Sequence, residues 1–190
     1  MKKDLNFDNY ENYRWFFTSS GKLVIGGKNA EQNEEIMSSI KNNDVIMHTS
    51  SPGSPFCIIK NPNKQDLEEV AVFTACFSQQ WKSGRKMADV DMFLGNQVSK
   101  TKDMKTGTFG VFGKSAKKKV ELKLVLDFQK DKLRAIPEGV SENPILLIRP
   151  GSLTKEQAVN SILKILSGKG LSVSKEEIMA AIPSDKIKIN

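Results

Sequence analysis

The chain has 190 residues, 38% of them apolar and 27% charged, which suffices for one buried core and is ordinary for a soluble globular domain. No apolar run approaches the roughly 18 residues of a membrane span, and Met1-Lys2-Lys3 leads into acidic and amide-rich residues rather than a signal-peptide core. Cys57, Cys76 and His48 are too few for a structural zinc site or a disulfide scaffold, so a cytoplasmic protein with reduced, buried thiols and without metal or cofactor is expected.

The formal net charge of +7 is placed unevenly. Residues 82–130 carry 12 Lys/Arg against 5 Asp/Glu, an excess equal to that of the whole chain. A polyanion is therefore expected to meet that segment, because clustered cations attract phosphate and release its condensed counterions. A solvated basic face is the alternative.

In chain order, residues 1–12 read as an N-terminal extension. Tyr13 to Phe17 is aromatic and β-prone, Ser19-Ser20-Gly21 is turn chemistry, and Lys22 to Ile25 is apolar again, which predicts a hairpin. Gly26-Gly27 ends it, and Asn29 with Gln32 makes a capping-box pattern for a helix over about 30–40. Asp44 to Met47 is a short strand entering a loop of hydroxyl and turn residues from His48 to Pro55, and Phe56 to Lys60 resumes as strand. Asp66 with Glu69 reads as the cap of a central helix whose Leu67, Val70, Thr74, Phe77 and Trp81 form one stripe through about Ser83.

Val90 to Leu94, Phe109 to Phe112 and Val120 to Leu126 read as further strands, separated by a polar loop over 95–106 and a basic turn over 114–119. After Asn143-Pro144, the strand Ile145 to Ile148 precedes two short helices, capped by Thr154 with Gln157 and by Ser174 with Glu177. Without regular β-α alternation, the fold class is α+β: a mixed, largely antiparallel sheet with packed helices and a short C-terminal helical appendage. Ala158, Val159, Ile162, Leu163, Leu166, Ile178, Met179 and Ile182 should dock those helices onto the domain, a homodimer interface being the alternative. Trp15 and Trp81 are expected in the core, each with a partner for its indole N–H.

Several groups could bind or react. Gly27 and Lys28 sit in a glycine turn at a helix start, where backbone amides and the helix dipole favour an anion, although a tight turn plus cap explains them equally. Gln32 and Asn33 offer either ligand contact or buried hydrogen bonds. His48 with Asp44 could act as general base and orienting partner on a ribose hydroxyl. In a strand, however, residues four apart lie about 13 Å apart, so His48 is better read, with Ser51, Gly53 and Ser54, as hydrogen-bonding the loop or an RNA group. Lys82, Arg85, Lys102, Lys114, Lys117 and Lys118, interleaved with Trp81, Phe109 and Phe112, suit phosphate contacts and base stacking.

Three stretches in order, WFFTSSGKLVIGGKNAEQNEE (15–35), QVSK (97–100) and GTFGVFGK (107–114), together resemble the NFACT-R domain. That RNA-binding domain ends the large ribosome-quality-control proteins of the NEMF and fibronectin-binding-protein-A family and also occurs alone in short proteins. The resemblance runs from about Tyr13 to about Leu126. It implies an RNA-binding domain over 13–143, followed by a strand and two-helix appendage over 144–190 packed upon it. It also implies RNA contact at Gln97, Ser99 and Lys100, with Val98 packing.

The helix-hairpin-helix and coiled-coil segments of the large members are not in this sequence. The expectation is therefore a non-enzymatic adaptor for tRNA or rRNA, with the ribosome as partner and no membrane. An RNA-modifying or RNA-cleaving enzyme using His48 and Asp44 is one alternative, and a DNA-binding or protein-docking module is another.

Overall fold

The aromatic hairpin forms the edge of a six-stranded sheet. The computed structural model describes residues 7–190, so residues 1–6 of the N-terminal extension lie outside the described residues. Strand β1 (Arg14–Phe17) pairs with β2 (Leu23–Gly26), with Trp15 opposite Ile25 and Phe16 opposite Val24. Alternation sends Trp15 and Ile25 to one face and Phe16 and Val24 to the other, all four buried. The sheet continues through β4 (Cys57–Ile59), β3 (Val45–Thr49), β5 (Met87–Leu94) and β8 (Ala116–Glu121) in the order β1-β2-β4-β3-β5-β8.

Helix α1 (Ala30–Ser38) covers one face through Ile36 and Met37, against Trp15, Ile25, Ile46, Ile58 and Phe93. Helix α2 (Lys64–Cys76) covers the other, packing Val70 and Phe73 on Phe16, Met47, Ile59 and Val90. A four-stranded sheet continues this second core. Its order is β10 (Lys132–Ile136), β9 (Leu124–Gln129), β11 (Leu146–Leu153), β12 (Ile187–Ile189). Helices α4 (Lys155–Gly168) and α5 (Lys175–Ala181) pack there through Ala158, Val159, Ile162, Leu166 and Ile178. Two of the four strands come from before residue 143 and two from after it. A two-stranded ladder of β6 (Val98–Ser99) and β7 (Gly110–Val111) closes over α1. Among the described residues every strand pairing is antiparallel, so the class is α+β.

Several local expectations need correction. The cap of α2 is Asn63, whose side chain accepts from Asp66 N at 2.8 Å, while Asp66 as third helical residue accepts from Asn63 N in return. Asp66 and Glu69 instead staple the hairpin turn to the helix. Ser20 Oγ donates to Asp66 at 2.6 Å, and Ser19 N donates to Glu69 at 2.9 Å. The central helix stops at Cys76; Ser78 then caps a separate turn, α3 (Gln79–Lys82), which places Trp81 in the core. Trp81 Nε1 is buried without a hydrogen bond, contrary to expectation.

The stretch Val120 to Leu126 is two strands in two sheets rather than one, and the strand expected over Phe109 to Phe112 is only Gly110–Val111. Lys132–Ile136 and Ile187–Ile189 are strands that carried no recognised signal. Met179, expected on the docking face, is exposed.

Residues 114–119 depart furthest from the sequence expectation. They are not a basic turn, because Ala116–Glu121 pairs with β5, with Lys117 opposite Asp91 and Lys119 opposite Asp89. Opposite charges placed directly across an antiparallel pair stabilise it, so these lysines are partly matched within the sheet.

Candidate nucleic-acid interface

At the end of the six-stranded sheet where β2 runs into α1 and β3 runs into the 50–55 loop, the chain forms an open cavity of about 670 Å³. Its size falls within the roughly 300–1,000 Å³ usual for ligand pockets. Gly27, Lys28 and Asn33 line it from the α1 side, His48, Gly53, Ser54 and Phe56 from the loop, Arg14 and Lys82 from the edge and α3, and Phe109 from the β6–β7 flap. The fold thus joins Gly27, Lys28, Asn33, His48, Gly53, Ser54 and Lys82, all anticipated, and adds Arg14 and Asp91, which were not.

The glycine turn is fixed from within. Asn29 caps α1 by accepting from Gln32 N at 2.8 Å. Gln32 Oε1 accepts from Lys28 N at 2.9 Å, so that amide is already occupied and does not offer itself to an anion. Gly27 is required for another reason: a Cβ there would collide with the Asn33 side chain, which accepts from Phe56 N at 3.2 Å and ties the turn to β4. Gly53 has φ +90° and its carbonyl accepts from Gln79 N at 2.8 Å, which seats the loop on α3.

The electrostatics of the cavity are one-sided. Arg14, Lys28 and Lys82 line it, with Asp91 the one carboxylate. Burial lowers the pKa of both Arg14 and Lys28, and Arg14 and Arg134 lower Lys28 further. Lys155 is lowered likewise, first by burial and then by Arg14. Cations that depress one another mark a region of positive potential suited to an anion. The Arg14 guanidinium lies 4.8 Å over the Phe77 ring, and its Nε is buried without a hydrogen bond.

His48 is held by the strand and not by Asp44. Its Nδ1 lies 2.7 Å from Thr49 O, and its ring stacks on Phe56 at 4.5 Å between centroids. Burial lowers its pKa, only partly opposed by the Thr49 bond and Asp91. Asp44 accepts from Lys41 N at 2.8 Å and closes the turn before β3, so the His48–Asp44 pair considered from the sequence does not form. The carboxylate opposite His48 is Asp91, across the β3–β5 ladder.

The remaining anticipated residues lie elsewhere. Ser51 and Arg85 line a smaller groove with Lys86, Asp89 and Lys119. Gln97 accepts from Leu94 N at 2.8 Å and donates to Phe112 O and Lys114 O. Ser99 faces Gly110 O at 3.5 Å. Lys100 Nζ donates to Glu34, Lys105 O and Thr108 O. The polar atoms of the QVSK stretch therefore build the flap, and its expected RNA contacts gain no support from the geometry. Lys118 pairs with Glu68, Lys117 lies 3.8 Å from Asp91, and Lys82, Lys102 and Lys114 are exposed. Arg14 could have been noticed as a lone cation in an aromatic strand, and Asp91 as a carboxylate between apolar strand residues. Neither carries a motif.

Residues 12–113 match the NFACT protein RNA binding domain. The archaeal Rqc2 homolog aRqcH of Methanocaldococcus jannaschii is 29% identical over 202 residues, covering 96% of this chain and 30% of that protein. The ribosome quality control complex subunit NEMF of Homo sapiens is 31% identical over 115 residues, covering 55% of this chain and 11% of that protein. The C-terminal part of the fibronectin/fibrinogen-binding protein from Streptococcus suis shares the fold with a TM-score of 0.50 at 20% identity, over 58% of this chain and 44% of that one. The chain thus spans less than a third of the length of these two relatives. No helix among the described residues is long and apolar enough to cross a membrane.

Proposed function

The chain belongs to the NFACT protein RNA binding domain family, and from that membership we propose a non-enzymatic, RNA-binding adaptor for ribosome quality control that holds tRNA or rRNA in the cytoplasm. In this reading residues 13–143 form the RNA-binding unit and residues 144–190 its packed appendage. The observation that carries it is the charge of the cavity lining, where Arg14, Lys28 and Lys82 outnumber a single carboxylate, Asp91. The neighbouring groove, where Arg85, Lys86 and Lys119 outnumber Asp89, extends the same charge. Phosphate contacts from such groups position RNA with little sequence preference.

Titrating folded tRNA at increasing salt tests the proposal. Neutralising several phosphates gives an affinity that falls linearly in log salt, with a slope of about −2 to −5. Affinity independent of salt would replace the polyanion reading with a protein interface, and equal affinity for duplex DNA would reduce it to unselective electrostatics.

A further inference from the structure

We infer that the cavity seats a short stretch of a bound RNA, with a phosphate at Arg14, Lys28 and Lys82 and the ribose hydroxyls of a neighbouring nucleotide at His48 and Asp91. The inference rests on the RNA-binding reading and goes beyond it, since phosphate contact along a surface needs no cavity.

The two ends of the cavity call for different chemistry. At one end the half-buried Arg14 lies with its guanidinium over Phe77, its Nε buried without a hydrogen bond and with no acidic partner among the described residues. A guanidinium withdrawn from water without a counter-charge is unfavourable, and its planar fork matches phosphate oxygens. Lys28 and Lys82, both exposed at the rim, supply charge from two further directions.

At the other end the groups are acceptors. A carbonyl oxygen only accepts, so the 2.7 Å contact with Thr49 O requires the proton on His48 Nδ1. Nε2 of the neutral ring is then an acceptor. Asp91 sits opposite His48 in the β3–β5 register. Its Oδ1 is buried and without a hydrogen bond, the Lys117 ammonium lying 3.8 Å away. Neighbouring acceptors of this kind suit vicinal hydroxyls and repel phosphate, which sets this end of the cavity apart from the cationic one. Phe56, Phe93 and Phe109 form an apolar wall, with Phe56 and Phe109 edge-to-face at 5.3 Å. A base packed there gains stacking contact that tolerates any sequence. The 2′-hydroxyl is the group by which such a pocket separates RNA from DNA.

Fluorescence anisotropy on matched single-stranded RNA and DNA oligomers of one sequence, at one salt concentration, tests the inference. RNA should bind about tenfold tighter than DNA, a difference of about 1.4 kcal/mol. Asp91→Asn should bring that ratio close to one by weakening RNA alone. In the unsubstituted protein, adenosine 5′-monophosphate should shift the His48 imidazole resonances and be displaced by the RNA oligomer, a readout that does not depend on the variant folding. RNA and DNA bound alike, an undiminished ratio in Asp91→Asn, or a nucleotide that RNA does not displace would each overturn the pocket while salt-dependent RNA binding kept the broader reading. Absence of RNA binding at any salt would overturn both.

Discussion

Glu34 and Lys100 latch the β6–β7 flap onto α1: Glu34 Oε2 accepts from Lys100 Nζ at 2.9 Å and from Gly107 N at 2.7 Å. The two hydrogen bonds lower the pKa of the Glu34 carboxyl against the upward pull of its burial. Because Lys100 also bonds Lys105 O and Thr108 O, its removal releases the loop as well as the ion pair. Both side chains are about one-third exposed, which limits the effect to roughly 1 kcal/mol. Lys100→Ala and Glu34→Ala should each lower the melting temperature by a few degrees and raise amide exchange in residues 98–111. Unchanged exchange there would show that the latch does not hold the flap.

Charge reversal in β8 should act on stability rather than on RNA alone. Lys118 pairs with Glu68 on α2, and Lys117 stands opposite Asp91. Lys117→Glu with Lys118→Glu places like charges at both contacts, destabilising the domain by about 1–2 kcal/mol. Urea denaturation measures this. A double variant as stable as the unsubstituted protein would contradict the pairing.

Asp66 sets an acid limit. Burial alone would raise its pKa, but hydrogen bonds from Ser20, Asn63 N–H, Thr18 and Lys22 outweigh it and hold the carboxyl down to about 2, from an ordinary 3.8. The folded protein therefore binds fewer protons than the unfolded chain between these values. The contribution is fully present above about pH 4 and is lost as pH falls through about 2. In Asp66→Asn the melting temperature should depend less on pH across that window, and the neutral-pH value should drop because Lys22 loses its partner. An unchanged acid profile would place the dependence on other carboxylates.

Local signals were legible where the answer is local. The Ser19-Ser20-Gly21 turn, the Asn29 cap and the Thr154–Gln157 capping box each join neighbours in sequence, and all three form. The β9–β10 turn was missed because Lys130 and Asp131 take positive φ without a glycine to announce it. The run from Val120 to Leu126 alternates Glu121 and Lys123 with apolar residues as a single strand would, so nothing in it marks where the chain leaves one sheet for another. A lysine-rich stretch read as solvated turn is a strand because Asp89 and Asp91, nearly thirty positions earlier, stand opposite. The site was legible in halves: the glycine turn and the hydroxyl loop were visible, whereas Arg14 and Asp91 join them only through tertiary folding.

The thiols should be inert. Burial pushes Cys57 up to about 12, and Cys76 is raised by burial as well. The thiolate is the reactive form, so an aromatic disulfide reagent should label neither cysteine at pH 8 until denaturant unfolds the chain. Rapid labelling of the native protein would contradict the packing around Gly26, where a Cβ would crowd Cys57 Sγ.

The most direct test of the cationic site is the affinity of folded tRNA for the protein carrying Lys28→Glu and Lys82→Glu together, measured at one salt concentration beside its melting temperature. Both side chains are exposed and form no ion pair among the described residues. A loss of at least tenfold in affinity is expected, about 1.4 kcal/mol or more, with a shallower salt slope and an unchanged melting temperature. Affinity and slope equal to those of the unsubstituted protein would show that RNA binds elsewhere.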